Sequence, residues 1–214
     1  MKGLLCTVIA ALVMSIAGCE STAPDYQSVW TTSQRSTTTT KTVPPVALSQ
    51  YLESIGVAGD QVAPDTLTDL TVSIPTPPGW QKVQKPDITP ATELIAKDGK
   101  YPTAMLMVFK LRGDFDAADV VKHGNVDAEL SRNFKRLDES TADFDGYPSS
   151  MIQGSYELDG KRLHGFNRIV IPTGSPPANQ RYLVQLTITG LAEQAVVDSN
   201  DIEAIIAGFT VAAK

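Results

Sequence analysis

The sequence predicts an α+β fold over residues 46–214: a twisted antiparallel sheet of six to seven strands with helices packed on it. Two observations predict it. Strand-like apolar runs are joined by tight turn signals, and a two-residue turn can connect only antiparallel neighbours. Apolar residues at helical spacing occur before, between and after those runs, and their apolar faces need a sheet to cover.

In chain order, Leu48, Tyr51, Leu52 and Ile55 recur as on one side of a short helix, and Gly56 stands where that helix should stop. Leu70 to Ile74 alternates apolar and polar residues, as a half-buried strand does. It runs into the Pro-rich turn Pro75–Trp80, which opens a loop of about fifteen residues. Glu93 to Ala96 is a weak strand, and Lys97-Asp98-Gly99-Lys100 is a hairpin turn. Thr103 to Leu111 is nearly all apolar, which suggests burial on both faces. Asp116 is placed to cap a helix whose apolar residues are Val120, Val121, Val126, Leu130 and Phe134, with Gly124 as its weak point. Four strands follow: Arg136–Phe144, Ser149–Leu158, Lys161–Ile171 and Arg181–Thr189. The second and third are joined by Asp159-Gly160, whose residues tolerate the positive φ of a two-residue hairpin. The end reads as helix, with Ile202, Ile205, Ile206 and Phe209 on one face.

Ahead of the domain, Met1-Lys2 is a short positive start, and Gly3 to Ile16 runs fourteen residues without a charge. That is short for a membrane span and matches the apolar region of a signal peptide, 1–18. It ends in Ile16-Ala17-Gly18-Cys19, a lipobox: a branched apolar residue, two small residues, then the cysteine. The thiol of Cys19 is therefore expected to carry a diacylglycerol, whose two acyl chains, at about 0.8 kcal/mol per buried CH₂, anchor where one would not. Residues 19–45 form a Ser/Thr/Pro-rich tether with no apolar periodicity. Its run Thr37–Thr40 is either plain linker or an acceptor of O-linked sugar. The expected location is the outer face of a membrane, lipid-anchored.

Composition narrows the function. The chain has 214 residues and a net charge of −6, with no basic cluster, which disfavours nucleic acid as a partner. Its two cysteines, Cys6 and Cys19, both lie near the start, so neither a disulfide framework nor a cysteine zinc site is expected.

Several segments occur together: the lipobox, the Ser/Thr tether, LSQYLESIGV, VSIPTPPGW, LRGDFDAADV after an apolar strand, and YLVQLTITG before a terminal helix. In this the chain resembles the LpqN/LpqT lipoproteins of mycobacteria and related actinobacteria, over nearly its whole length. The resemblance implies a Mog1/PsbP-like α/β/α sandwich, and a role in the cell envelope with amphiphilic lipid ligands. It implies no site residue.

No catalytic set stands out, and no cofactor or metal is expected. His123 and His164 fall in different elements, and two histidines do not make a three-histidine metal site. Asp114, Asp116 and Asp119 lack the Gly and distal Glu of a calcium loop and read better as helix-capping residues. Asp138, Glu139, Asp143 and Asp145 read as a solvated face. The candidate ligand-binding residues are Trp80 and Tyr101, aromatics in or near a long, Pro-rich loop that could wall a pocket for lipid or sugar, although Trp80 could equally plug one end of the core. The expectation is a monomeric, non-enzymatic module binding an envelope lipid or glycolipid. The alternative is a protein-interaction adaptor for an envelope transport or assembly complex, with a membrane-protein partner.

Overall fold

A computed structural model describes residues 45–214. The signal peptide, Cys19 and the tether up to residue 44 lie outside the described residues. The elements are α1 (Leu48–Ser54), β1 (Ala58–Val62), β2 (Leu70–Ser73), β3 (Trp80–Lys82), β4 (Glu93–Lys97), β5 (Thr103–Arg112), α2 (Ala117–Val120), α3 (Val126–Glu129), β6 (Lys135–Ser140), β7 (Ser149–Leu158), β8 (Lys161–Val170), β9 (Tyr182–Leu191), α4 (Ala195–Gly208) and β10 (Thr210–Ala213). None of the helices among the described residues is long and apolar enough to cross a membrane.

The antiparallel α+β architecture holds. The large sheet runs β3-β4-β5-β9-β8-β7-β6, with β1 paired to the far half of β5, eight strands in all. Both hairpin signals form turns with positive φ, at Asp98 (52°) and Gly99 (73°) and at Asp159 (49°) and Gly160 (73°). The central strands β5 and β9 are buried on both faces. One face carries Ala104, Leu106, Val108, Val184, Leu186 and Ile188 and is covered by Ile202 and Ile205 of α4 together with Leu70, Val72 and Val211. The other carries Met105, Met107, Phe109, Leu183 and Ile169 and is covered by Leu48 and Leu52 of α1 and by Val120 and Val121. Helices therefore lie on both faces, as the family resemblance implies.

Three expectations need correction, and one strand, β1, was not foreseen. The run at Leu70–Ile74 does not join the large sheet; β2 pairs only with β10, which makes a second, two-stranded sheet. The chain end is thus not helical throughout: α4 stops at Gly208 and the backbone turns extended at Phe209. β1 was hidden because AGDQV has almost no apolar content; it is an edge strand held by backbone pairing to β5. The single long helix from Asp116 is broken into α2, a 3₁₀ turn over Val121–His123, and α3. The break lies where Gly124 presses on the sheet. A Cβ there would stand 2.1 Å from Ser150 Oγ, so only a glycine lets the backbone approach so closely.

α1 is docked at its start from this broken segment. The ring of His123 stacks on Tyr51 with centroids 3.9 Å apart, and its Nδ1 lies 3.0 Å from the Val46 carbonyl. Asp127 accepts from the Leu48 backbone N–H, while its burial pushes the carboxyl above the usual carboxylate range. A carboxyl raised on folding contributes stability that is complete below its unfolded value and is lost as pH rises through the folded one. Asp127→Asn keeps an acceptor for Leu48 and removes the buried charge. The variant is expected to be at least as stable as the parent at pH 7, with the difference vanishing in acid, read from Tm against pH.

Candidate functional site

The face under α1 carries its polar residues together. In β9, Gln185, Thr187 and Thr189 point one way while Leu186 and Ile188 point the other, by strand alternation. Gln185, Thr187 and Asn167 of β8 are all buried. Thr187 Oγ1 donates to Asn167 Oδ1 at 3.0 Å, and Gln185 Nε2 donates to the same oxygen at 3.0 Å. Asn167 in turn donates to the Gly124 carbonyl at 3.5 Å. Amides are costly to bury unless bonded, and this network bonds most of these groups. Among the described residues, Gln185 Oε1, Asn125 Oδ1 and Ser150 Oγ are buried without a partner.

Where the network reaches the end of the sheet it opens into a pocket of about 60 Å³. Thr103, Thr187 and Thr189 form its floor, since Thr103 and Thr189 are paired across β5 and β9. Leu94, Met105, Leu158 and Ile88 are apolar walls, and Tyr101, Tyr156 and Lys85 stand around it. Gly165 makes room for one of these: a Cβ there would lie 3.1 Å from Tyr156 Cε1. The pocket thus mixes hydroxyls with methyl and methylene groups on one sheet face, since Leu94 pairs with Met105 and Met105 with Thr187, a lining suited to an amphiphile.

A larger depression of about 450 Å³ lies beside Asp69, Lys110, Ser175 and Tyr182, walled by Pro176 and Pro177. Tyr182 donates to Asp69 Oδ1 at 2.7 Å, and burial, then the Asp69 carboxylate, raise its phenol above the usual tyrosine value. Its lining is divided almost evenly between polar and apolar surface, and it is an open depression on the surface.

Of the two aromatic candidates, the structure places only Tyr101 at the pocket. Trp80 is not in a loop. It begins β3, pairs with Lys97 and is buried with Ile95 and Ile202 in the core on the other face. Its Nε1 donates to Asp201 Oδ2 at 3.1 Å, and Lys97 Nζ lies 2.9 Å from the same oxygen. Lys97, then Trp80, hold the Asp201 carboxyl below its usual value. The reason is local: Pro75–Gly79 turns the chain so that the indole meets the sheet, filling one end of the core.

The histidines are kept apart. His123 lies against α1, while His164 of β8 bonds Gln153 Nε2 at 2.9 Å, and burial lowers its pKa. Asp116 caps α2, accepting from Ala118 N at 2.8 Å. Asp119 pairs with Lys122 and Asp114 with Arg181. Asp138 and Glu139 lie on the exposed β6, and Asp143 and Asp145 on the exposed turn after it. No group of three or more His, Cys, Asp or Glu among the described residues is placed to hold a metal.

The comparisons with known proteins agree in kind. The family model "Probable lipoprotein LpqN" matches residues 44–212. The chain belongs to the LpqN/LpqT lipoprotein family. Within it, the chain is 64% identical over 207 residues to "Putative lipoprotein LpqT" of Mycobacterium tuberculosis, covering 96% of this chain and 92% of that one. The protein of the same name in Mycobacterium leprae is 62% identical over 208 residues, covering 96% and 94%. Among solved structures, LpqN, described as "involved in cell envelope biogenesis of Mycobacterium tuberculosis", superposes with a TM-score of 0.67 at 19% identity. It covers 78% of this chain and 98% of that one, and at that identity it shows the shared fold. Membership in a family of lipoproteins implies membrane anchoring.

Proposed function

We propose that this lipoprotein holds an amphiphilic envelope lipid or glycolipid without transforming it, in the pocket between Thr103, Thr189 and Tyr101. The observation that carries the reading is the mixed lining of that pocket, where Thr103 and Thr189 stand beside Met105 and Leu94 on one sheet face with Leu158 and Ile88 close by. Its volume of about 60 Å³ takes only two or so water-sized groups of ~30 Å³. An acyl chain therefore enters by displacing Ile88 and Lys85, which belong to the segment between β3 and β4 rather than to a strand. The pocket's lining offers no paired acid and base, which favours holding over catalysis.

Native mass spectrometry of protein purified without detergent, with envelope lipid extract added, tests this. The parent should bind lipid, and Thr189→Phe, which fills the floor from a half-exposed site, should lower binding at least tenfold with the unfolding midpoint little changed. An unloaded parent would remove the reading.

The same proposal covers the chain ahead of the domain: a signal peptide over 1–18, Cys19 acylated at the outer face of the membrane, a tether over 19–45, and one domain over 46–214. Cys19→Ala should move the protein from the membrane fraction to the soluble fraction.

A second reading, the protein-interaction adaptor, is favoured by exposed Leu130 and Leu137, which follow α3 and lie in β6, elements bridged by the Arg136–Glu129 ion pair at 2.8 Å. Crosslinking in intact cells would favour it if a membrane protein is captured by the parent and lost with Leu130→Ser/Leu137→Ser.

A further inference from the structure

We infer that the end of the sheet carrying Val196 and Val197 lies directly on the lipid bilayer, a second contact besides the anchor, so that ligand passes between membrane and pocket there. The inference rests on the amphiphile-holding reading for its purpose, but its geometry is independent of it. Val196 is 88% exposed and Val197 71%, the two highest values among the exposed large hydrophobic residues described. They are consecutive in the first turn of α4, a helix of 14 residues, and no core residue covers them.

The sheet register fixes what else is at this end. Thr103 pairs with Thr189 and Leu163 with Leu191, so the hairpin at 98–102, the turn at 159–160 and the start of α4 all gather at one edge. Contacts between them agree: Lys161 Nζ lies 5.8 Å from the centre of the Tyr101 ring, and a Cβ on Gly190 would stand 3.7 Å from Pro102. The pocket floored by Thr103 and Thr189 opens at this same edge. Apolar side chains that no part of the protein covers therefore sit at the same end of the sheet as the pocket, on the face that α4 covers and across the sheet end from the pocket floor.

The occupant is argued from two further facts. The 44 residues ahead of the described part include the lipobox cysteine, and from Cys19 to Pro45 the chain spans at most about 90 Å even fully extended. The domain is thereby kept at a bilayer, so a weak contact suffices where a free domain would need a strong one. Lys85, Lys97, Lys100 and Lys161 stand against Asp98, Asp159, Glu193, Asp198 and Asp201 at this end, an excess of one negative charge against the chain's −6, which a zwitterionic surface does not repel. Tyr101 and the lysines suit the headgroup level, with an apolar body or stem and a polar tip.

The test uses the acylated full-length mature chain in phosphatidylcholine vesicles, with an environment-sensitive NBD label at Val197→Cys; the Cys19 thiol is blocked by its lipid. The control label is at Leu137→Cys on β6, 65% exposed. The Val197 label should be blue-shifted and roughly twofold brighter than the control, because it leaves water for an apolar phase. Water-like emission from both labels would overturn the contact. In a second arm, Val196→Asp/Val197→Asp should slow lipid uptake from vesicles about tenfold while binding of the same lipid from detergent micelles is unchanged. Equal uptake rates would overturn the role of the contact in ligand transfer. Immersion of the Val197 label together with no uptake by the parent from either source would support the contact and remove the pocket reading.

Discussion

Replacing Trp80 by alanine is expected to lower the unfolding free energy by about 3–5 kcal/mol, the range for a large buried aromatic. Trp80 is 6% exposed and is packed against the core under α4. The loss has two parts. The ring leaves a cavity that β3, only three residues long, can hardly collapse around. The indole N–H also stops donating to Asp201, whose remaining partner is Lys97. Trp80→Phe separates the parts, since it keeps most of the packing and loses only the hydrogen bond, at about 1 kcal/mol. The two differ in pH behaviour. Asp201 titrates below its usual value when folded, so its contribution is complete above the unfolded carboxylate pKa and is lost as pH falls through the folded one. Trp80→Phe should show a shallower loss of stability in acid than the parent, because one of the two groups holding that carboxylate is gone. Urea unfolding followed by circular dichroism at pH 7 and in mild acid reads both effects.

Gly154→Ala is the second large effect, expected at about 1–3 kcal/mol, and it arises from crowding rather than loss. Gly154 lies in β7, between Arg136 of β6 and Gly165 of β8. A Cβ there would stand 2.5 Å from Cε2 and Cζ of Phe134 and 2.7 Å from the backbone oxygen of Lys135. The phenyl ring could tilt away. The Lys135 oxygen cannot do so freely, because β6 is fixed to β7 on that side. The ring of Phe134 lies over the glycine and supplies the packing that the residue lacks. Phe134→Ala in the Gly154→Ala background should therefore recover part of the loss, in a double-mutant cycle of unfolding free energies.

Much of the fold was legible because its strands announce themselves locally. TAMLMVFKL and RYLVQLTIT carry apolar residues on both sheet faces, and Asp159-Gly160 has only one use between two strands. What was not legible depended on partners far along the chain. AGDQV becomes a strand because β5 offers an unpaired edge beyond β4, and nothing in those five residues says so. The helix from Asp116 looked continuous because its apolar spacing is regular; the contact of Gly124 with Ser150 that interrupts it is set by the sheet. Trp80 was ambiguous for the same reason, since a tryptophan after prolines can wall a pocket or plug a core, and the choice was made by β4 and α4. At the pocket, Tyr101 was singled out as an aromatic near the long Pro-rich loop, and it stands in the lining. Thr187 and Thr189 were missed, although the alternation in QLTITG already puts both hydroxyls on the face opposite Leu186 and Ile188. Reading each face of a buried strand separately would have revealed them.

The pairing of β2 with β10 bears on the order in which the domain can mature. Val72 and Val211 are neighbours in that ribbon but lie about 140 residues apart in sequence. Closing so long a loop comes late, because its entropy is spent before any contact rewards it. With export N-terminus first, as the proposed signal peptide entails, Leu70 and Val72 would emerge early and wait, while the sheet face that they and Val211 shield stays open to solvent. An apolar face left bare during export is a target for holdase chaperones and for self-association. The last strand thus acts as a latch on maturation, and a stalled translocation intermediate would be caught with one side of its sheet undressed.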